Sequence, residues 1–315
     1  MTKRAAVFFT SCFLLLAAFP LIRPPAYFLS FLFKVFLYII LSESWNLIGG
    51  FAGYLSFGHV AFFGIGTYTS AMLFQHFSLS PFIGALPAGL SAAAVALIVG
   101  YPCLRLRGPY FAVITLCFAF IVDLIVKNWG FLGGSEGIHL KLVPMDIQVS
   151  RSIFYEIFLG LATLTVLYVR RVERSKFGMG LASIREDEEV AQTLCIHTAG
   201  LKVKAFVLSA FFPGVAGGIY AYYISYIHPD IVFDINVSIL IVLMALFGGG
   251  KSWVGPFLGA VSLTVVNELL SVFVKPEMAR VIYGTMFVIV IIFMPDGIVD
   301  FLRRKRILFR QRTDG

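Results

Sequence analysis

Long blocks of apolar residues, separated by short polar segments, run through nearly the whole chain. An α-helix needs about 20 mostly apolar residues to cross the hydrocarbon core of a bilayer, and many of the blocks approach this length. We therefore predict an all-α, polytopic bundle of membrane-spanning helices that forms a single domain over residues 1–315. We expect about ten spans, with eight or nine as the alternative. The predicted spans are 5–22, 27–48, 51–75, 82–103, 109–127, 152–169, 203–227, 237–249, 252–273 and 280–299.

Three of the predicted spans have unusual ends. The first follows Lys3 and Arg4 and resembles a signal peptide, but further spans follow at once, so we expect an uncleaved helix. The third begins at Gly49, Gly50 and Gly53, which predicts a partly re-entrant segment. The eighth is short and borders on glycines, which predicts a broken or tilted helix.

The composition agrees with a chain whose solvent is lipid. Hydrophobic residues make up 59% and charged residues 13% of the sequence, whereas soluble domains carry about 25% charged residues. The four cysteines are far apart, and their spacing indicates neither a metal site nor a disulfide framework.

The net charge of +8 is concentrated in a few loops and in the tail. Lys and Arg near the ends of spans mark the cytoplasmic side of a membrane protein. The charge therefore predicts topology rather than nucleic-acid binding. Our span layout puts Arg105, Arg107, the block 170–185 and the tail 301–315 on one side, so we expect both termini to be cytoplasmic.

The polar loop 170–202 is predicted to hold a short cytoplasmic helix. Ser183 and Glu186 have the spacing of a capping box, and acids such as Asp187 and Glu188 favour the first turns of a helix. Helices that lie on a membrane surface usually carry Lys and Arg on their polar face. Because this one carries acids, we predict that it binds a protein partner.

Two glycine-rich segments have competing interpretations. In the segment 49–66, small residues either let helices pack closely or line a transport path through Ser56 and His59. The segment 245–252 nearly matches a nucleotide-binding P-loop, but a membrane span precedes it, so we predict a tight turn instead. The candidate residues for the path or for helix packing are Gly53, Ser56, Gly58, His59, Gly64, Gly248, Gly249 and Ser252.

The outer loop 128–151 contains a glycine-rich turn. It is predicted either to contact a partner outside the membrane or gate the path, or to be a plain connector. The residues of this turn are Gly133, Gly134, Ser135 and Glu136.

Acids within apolar spans are costly and often functional. Asp123 and Lys127 are four residues apart, so they are predicted to pair on one helix face. An ion-coupled secondary transporter or channel would use Asp123 and Glu268, and a membrane-embedded enzyme would use His59 with nearby acids. No nucleophile triad, metal set or cofactor motif is found in the sequence, so we expect no enzymatic activity.

Several segments form a recognisable set. Residues 45–59 read W-N-L-I-G-G-F-A-G-Y-L-S-F-G-H, and residues 183–188 read S-I-R-E-D-E. The other segments are R-L-R-G-P-Y-F-A at 105–112, G-G-S-E-G at 133–137, G-G-G-K-S-W-V-G-P at 248–256 and P-D-G at 295–297. Together they resemble the second permease subunit of high-affinity branched-chain amino acid ABC transporters, whose first signature is L-N-L-x-x-G-x-x-G-x-L-S-x-G-H.

Two positions depart from the family pattern. Cys195 stands where the family usually has glycine, and Lys251 replaces a small residue. Because glycine suits the end of a helix, we expect the turn at Cys195 to be shaped differently.

The resemblance implies an importer of leucine, isoleucine or valine in the bacterial inner membrane. Its partners would be a homologous permease subunit, two cytoplasmic ATPase subunits that bind ATP and Mg²⁺, and a periplasmic binding protein that faces the turn at Gly133. This chain would hold no cofactor of its own. The residues implied in coupling to the ATPase are Ser183, Ile184, Arg185, Glu186, Asp187, Glu188, Ala191 and Leu194.

Overall fold

The computed structural model describes residues 11, 13–22, 24–77, 79–140, 146–273, 275–293 and 297–298, and these are predominantly helical. A first apolar helix, Phe13–Ile22, ends in a 3-10 turn. The α-helices that follow are α1 (Ala26–Asn46), α2 (His59–Phe77), α3 (Pro81–Cys103), α4 (Pro109–Asn128), α5 (Ile147–Glu173), α6 (Lys176–Glu186), α7 (Glu188–Thr193), α8 (Thr198–Ile224), α9 (Pro229–Val232), α10 (Ile235–Gly248), α11 (Val254–Phe273) and α12 (Pro276–Phe293). Short 3-10 turns lie at Gly130–Leu132 and Gly134–Glu136, and strands β1 (Ile138–His139) and β2 (Tyr226–Ile227) pair antiparallel.

The predicted polytopic helical bundle is confirmed, but the count of ten spans is not. Six segments within the described part of the chain are long and apolar enough to cross a membrane: α1, α3, α4, α5, α8 and the continuous stretch Pro229–Gly248. The predicted spans 51–75, 252–273 and 280–299 correspond to α2, α11 and α12, which are helical but are not among the six. The beginning of the predicted span 5–22 lies outside the described residues.

The predicted third span starts later than expected because residues 47–58 are not helical. This stretch, which we call the glycine-rich segment, forms a turn followed by extended backbone, and α2 begins only at His59. Many of its backbone groups form hydrogen bonds within the protein, as non-helical backbone inside a membrane bundle requires. The Trp45 indole donates to the carbonyl of Ser56 at 2.7 Å, and the N–H of Phe57 donates to the Thr115 hydroxyl at 3.1 Å.

Helix α8 lies between α2 and α3 and touches both through glycines. A Cβ on Gly217 would overlap the backbone carbonyl of Phe63 in α2. A Cβ on Gly214 would come within 2.6 Å of the Ala92 Cβ in α3. Small residues of this kind allow backbones to pack at close range, which is the main source of helix association in a membrane. The position of α8 is therefore fixed from two sides.

Helices α10 and α11 are joined by the second glycine run. Gly248 ends α10, and Gly249 follows with φ +104°, a conformation that favours glycine. The backbones of Gly248 and Gly255 are so close that a Cβ on Gly248 would overlap the Gly255 carbonyl. The predicted tight turn is confirmed, and the element directly before it is the helix α10 rather than the strand that a P-loop would need.

The predicted eighth span, 237–249, is the second part of a longer stretch. Helix α9 ends at Val232, and α10 starts at Ile235, with Phe233 and Asp234 between them. The Asp234 carboxylate accepts a hydrogen bond from the N–H of Asn236 at 3.0 Å and so caps the second helix. The predicted span itself is one unbroken helix up to Gly248, and the interruption lies just before it.

Candidate functional site

The polar segment between α5 and α8 folds as two short helices, which we call the docking segment (Lys176–Thr193). The Ser175 hydroxyl caps α6 by accepting a hydrogen bond from the N–H of Gly178 at 3.2 Å. Ser183 lies inside α6, where its hydroxyl donates to the carbonyl of Met179 at 3.1 Å. The predicted capping box at Ser183 is therefore wrong, because the helix has already begun two turns earlier.

Asp187 is the true cap of the second helix. The backbone of Asp187 is extended and so separates α6 from α7. Its carboxylate accepts hydrogen bonds from the N–H groups of Glu189 and Val190 at 2.8 and 3.1 Å. Capping satisfies N–H donors that have no partner within the first turn of a helix. The acids that follow then lie at the positive end of the helix dipole, as the sequence predicted.

Helix α7 ends in a Schellman motif centred on Cys195. The N–H of Ile196 donates to the carbonyl of Ala191 at 3.2 Å, and the N–H of Cys195 donates to the carbonyl of Gln192 at 3.0 Å. Cys195 has φ +58°, the left-handed conformation that glycine usually supplies at this place. Our expectation of a differently shaped turn is therefore wrong: the chain keeps the turn and carries the strain of a Cβ.

Replacing Cys195 with glycine is expected to stabilise the protein by about 1 kcal/mol, because a left-handed residue with a Cβ costs about this much. Thermal unfolding of the purified protein in detergent measures the gain. The matched control is Cys195→Ala, which removes the thiol but keeps the Cβ and should show no comparable gain. Equal stability of the glycine and alanine variants would contradict the assignment of strain to this position.

Arg185 joins α6 to the glycine-rich segment. Its guanidinium donates a hydrogen bond to the carbonyl of Gly50 at 2.9 Å. Its aliphatic stem lies over Gly53, where a Cβ would come within 2.9 Å of the Arg185 Cγ and where φ is +78°. Glycine at position 53 is thus required for both space and backbone conformation.

Glu188, the first residue of α7, is held in a cluster of buried polar groups. Its carboxylate accepts from the Lys202 ammonium at 2.6 Å and from the Tyr54 hydroxyl at 2.5 Å. Lys202 also donates to Tyr54 at 3.0 Å and to the backbone carbonyl of Leu104 at 3.1 Å. The side chains of Lys202 and Glu188 are only 6% and 11% exposed.

The Glu188 carboxylate is ionised in this environment. Burial by itself would raise the pKa of the Glu188 carboxyl. The hydrogen bonds from Lys202 and Tyr54, together with the charges of Lys202 and Arg107, outweigh burial and lower that pKa below its ordinary value. Arg107 approaches Glu188 at 3.5 Å and pairs with Glu189 at 2.9 Å on the surface. Glu188 therefore takes part in this cluster as a carboxylate at neutral pH.

The docking segment has an inner and an outer face. Ile184 and Ala191 are buried against the bundle. Glu186 is 75% exposed, and Val190 and Leu194 are exposed as well. The residues predicted for coupling are therefore divided: some fix the segment to the bundle, and others form an exposed surface that is both acidic and apolar.

The residues predicted for the path are tightly packed. Ser56 and His59 are fully buried. A Cβ on Gly58 would lie 3.2 Å from the carbonyl of Thr115, and one on Gly64 would overlap the ring of Phe233. Gly248 and Gly249 form the tight turn described above, and the Ser252 carbonyl accepts from the amide of Asn46 at 3.3 Å.

A groove of about 920 Å³ lies elsewhere, between α2, α3 and α4. Its lining is almost entirely apolar, with residues such as Met72, Val99 and Ile121, and it contains none of the residues predicted for the path.

The predicted outer turn lies at the opposite end of the bundle from the docking segment. Gly133, Gly134 and Gly137 all have positive φ. The Tyr226 hydroxyl donates to the carbonyl of Glu136 at 3.0 Å, next to the β1–β2 pair. The turn is therefore hydrogen-bonded to the connection that follows α8.

The acids of the ion-coupled alternative both have cationic partners. Lys127 pairs with Asp123 at 2.7 Å, as predicted, and also with Asp230 at 2.6 Å. Glu268 pairs with Lys34 at 3.0 Å. No cluster of three or more potential metal ligands occurs among the residues that the structure describes.

Sequence reasoning did not single out Tyr54 and Lys202. One signal was available: Lys202 stands directly before the apolar block 203–227, and a lysine at that place needs a partner. The structure extends the helix back to Thr198, which brings Lys202 inside α8 and under the docking segment.

A bundle of membrane-spanning helices with a docked polar helical segment at one end defines a multi-pass membrane protein of the permease class. The family model described as "Branched-chain amino acid transport system / permease component" matches residues 27–291. The chain belongs to this family, whose members are non-catalytic permease subunits.

Individual relatives agree with this family. The chain is 32% identical over 299 residues to the high-affinity branched-chain amino acid transport system permease protein LivM of Escherichia coli, an alignment that covers 85% of this chain and 68% of that protein. It is 31% identical to LivM of Salmonella typhimurium, with the same coverage. LivH of Salmonella typhimurium is 22% identical over 83% of this chain and 91% of its own length. No solved structure matches the chain.

Proposed function

We propose that this chain is the LivM-type permease subunit of an ABC importer that moves leucine, isoleucine and valine across the bacterial inner membrane. The observation that carries the proposal is the docking segment. Two polar helices are fixed to the membrane bundle by Arg185 and Glu188, and they present an acidic and apolar face that the described part of the chain leaves exposed. A face of that kind fits a partner protein better than an anionic membrane surface.

The partner on this face is a cytoplasmic ATPase subunit, one of two in the complex, and ATP and Mg²⁺ are bound there rather than in this chain. Basic residues support the cytoplasmic orientation. Arg107 and Arg185 lie at the docking segment, and Arg170 stacks over Trp253 at the same end. Lys and Arg are enriched on the cytoplasmic side of membrane proteins. Both termini are proposed to share this side, although Lys3, Arg4 and the tail 301–315 lie outside the described residues.

The second permease subunit is a homologue of the LivH type. The packing of Ser56 and His59 leaves no open channel around these residues in one subunit, so we place the path between the two subunits. Ser56 and His59 would be exposed to the substrate only when the helices rearrange. The turn Gly133–Glu136 faces the periplasm and receives the loaded binding protein, since it lies at the end opposite the docking segment.

An ion-coupled transporter is the second candidate. It requires acids that gain and lose protons during transport. Asp123 and Glu268 each pair with a lysine of this chain at 3.0 Å or less, so both acids already have a counter-ion, which disfavours this role.

The test is co-expression of this chain with the neighbouring genes, purification of the complex and measurement of ATP hydrolysis with and without leucine-loaded binding protein. We expect a stable complex whose hydrolysis rises when the loaded binding protein is added. A chain that purifies alone and moves substrate on an ion gradient would contradict the proposal and favour the second candidate.

A further inference from the structure

The buried cluster at Glu188 connects the docking segment to three separate parts of the bundle. Tyr54 belongs to the glycine-rich segment, Leu104 follows the end of α3, and Lys202 is in the first turns of α8. All three meet at a single carboxylate or at the ammonium that pairs with it. The other acids nearby, Glu186 and Glu189, are exposed, and neither contacts Lys202.

A cluster of this kind is poorly explained by stability alone. Moving two charges out of water is costly, and apolar residues of similar volume would often serve a fold as well or better. What an ion pair with fixed partners does provide is a defined geometry, since each donor and acceptor holds the others in place. Glu188 and Lys202 thus fix the distance and angle between α7 and α8.

The position of α8 gives that geometry a mechanical consequence. The backbone of α8 touches α2 at Gly217 and α3 at Gly214, so a shift of α8 displaces both helices. The Tyr54 hydroxyl gives Glu188 a second connection, to the segment that leads into α2. Packed elements of this kind move as units rather than deform.

We propose that Glu188 and Lys202, with Tyr54, form the joint that transmits movement of the docking segment to α8 and to the glycine-rich segment. They are positioning residues and do not contact the transported solute. The inference rests on the proposed function, because it supplies the link between the ATPase-facing surface and the membrane helices. It differs from that function by assigning the link to particular buried residues rather than to the exposed face.

The test uses the complete transporter in proteoliposomes, to which leucine-loaded binding protein is added. It measures the ratio of leucine taken up to ATP hydrolysed. Glu188→Gln keeps the shape and removes the charge. We expect this variant to assemble with the ATPase subunits and to hydrolyse ATP, while uptake per ATP falls about tenfold, within the range typical of coupling between sites. Asp146→Asn is the matched control, because Asp146 is exposed at the opposite end of α5 and makes no capping hydrogen bond; its ratio should equal that of the unmodified transporter.

The exchanged pair Glu188→Lys with Lys202→Glu provides a second arm in case the single variant does not fold. The pair restores attraction in the reverse sense, and we expect it to recover part of the uptake ratio relative to Lys202→Glu alone. Recovery stays partial because Arg107 would repel the new lysine. Thermal unfolding of each variant separates loss of fold from loss of coupling.

The outcomes are distinct. An unchanged uptake ratio in Glu188→Gln would contradict the proposal that these residues form the joint, and would leave the proposed function intact. An exchanged pair that folds but recovers none of the uptake ratio would have the same meaning. Loss of ATPase co-purification in a folded Glu188→Gln variant would also contradict that proposal, since Glu188 would then be a direct contact of the ATPase. If the unmodified complex itself shows no hydrolysis in response to loaded binding protein, the proposed function fails first.

Discussion

Replacing Gly217 with leucine is expected to prevent recovery of a folded permease. A Cβ at this position would overlap the backbone carbonyl of Phe63 and would lie 2.8 Å from the Thr67 hydroxyl oxygen. The obstacle is backbone, so no side-chain rotation can relieve it, and α2 and α8 would have to separate. Overpacking a core by even a few methylenes costs roughly 1–3 kcal/mol, which is a large part of the stability of a typical domain.

The separation would also remove favourable interactions. Helix association in a membrane depends on close packing, so a gap between α2 and α8 forfeits the contacts that hold both helices in the bundle. Gel filtration in detergent and a thermal unfolding curve measure the result. We expect aggregated protein or a much lower melting temperature.

Gly160 in α5 offers the matched control. Nothing lies within 4 Å of a Cβ at this position, so leucine there meets no obstacle. Glycine is about 1 kcal/mol less favourable than alanine inside a helix, and Gly160→Leu should therefore be neutral or stabilising. If Gly217→Leu were as stable and as monodisperse as Gly160→Leu, this would contradict the close contact between the backbones of α2 and α8.

The glycines illustrate how far the sequence reaches. Their density in 49–66 and 245–252 indicates close packing or turns, but their partners are distant in sequence. Gly217 faces Phe63, and Gly297 approaches Gly249. Such pairs depend on how the helices are arranged in space, and this arrangement cannot be predicted from the local pattern of residues in the sequence.

The docking segment shows a finer limit. Its presence and its polar character follow from the composition of 170–202, but its division into two helices depends on which residue leaves the helical conformation. Both Ser183 and Asp187 are suitable caps by type. Asp187 takes the role because its backbone is extended, whereas the hydroxyl of Ser183 bonds back to Met179 within a continuing helix.

The polar cluster was beyond sequence reasoning for a related reason. Tyr54 and Glu188 are separated by 134 positions, and Lys202 and Tyr54 by 148. Each residue has an ordinary explanation in isolation: a tyrosine in a motif, an acid at a helix start, a lysine before a span. Their meeting requires the docking segment to fold back onto the bundle.

Reversing the charge of Arg185 is expected to reduce uptake by at least tenfold while the ATPase subunits stay bound. The Arg185 guanidinium donates to the Gly50 carbonyl, and Arg185→Glu would place two acceptors against each other. A hydrogen bond to a charged group contributes about 1.5–3 kcal/mol, and its loss releases α6 from the glycine-rich segment. Arg185→Lys should retain part of the uptake, because a lysine can still donate but lacks the length and the fork of the guanidinium.

The neighbouring residue should respond in a different way. Glu186 is 75% exposed, and its carboxylate accepts a hydrogen bond from the Arg185 guanidinium at 3.2 Å. Because exposed ion pairs contribute little to stability, Glu186→Lys mainly changes the outer face. We expect this variant to lose co-purification of the ATPase and to lose uptake in proportion, with the thermal stability of the chain unchanged. The two substitutions therefore separate attachment of the docking segment from recognition by its partner. Loss of ATPase binding in Arg185→Glu, together with its retention in Glu186→Lys, would show that the inner and outer faces have been assigned the wrong way round.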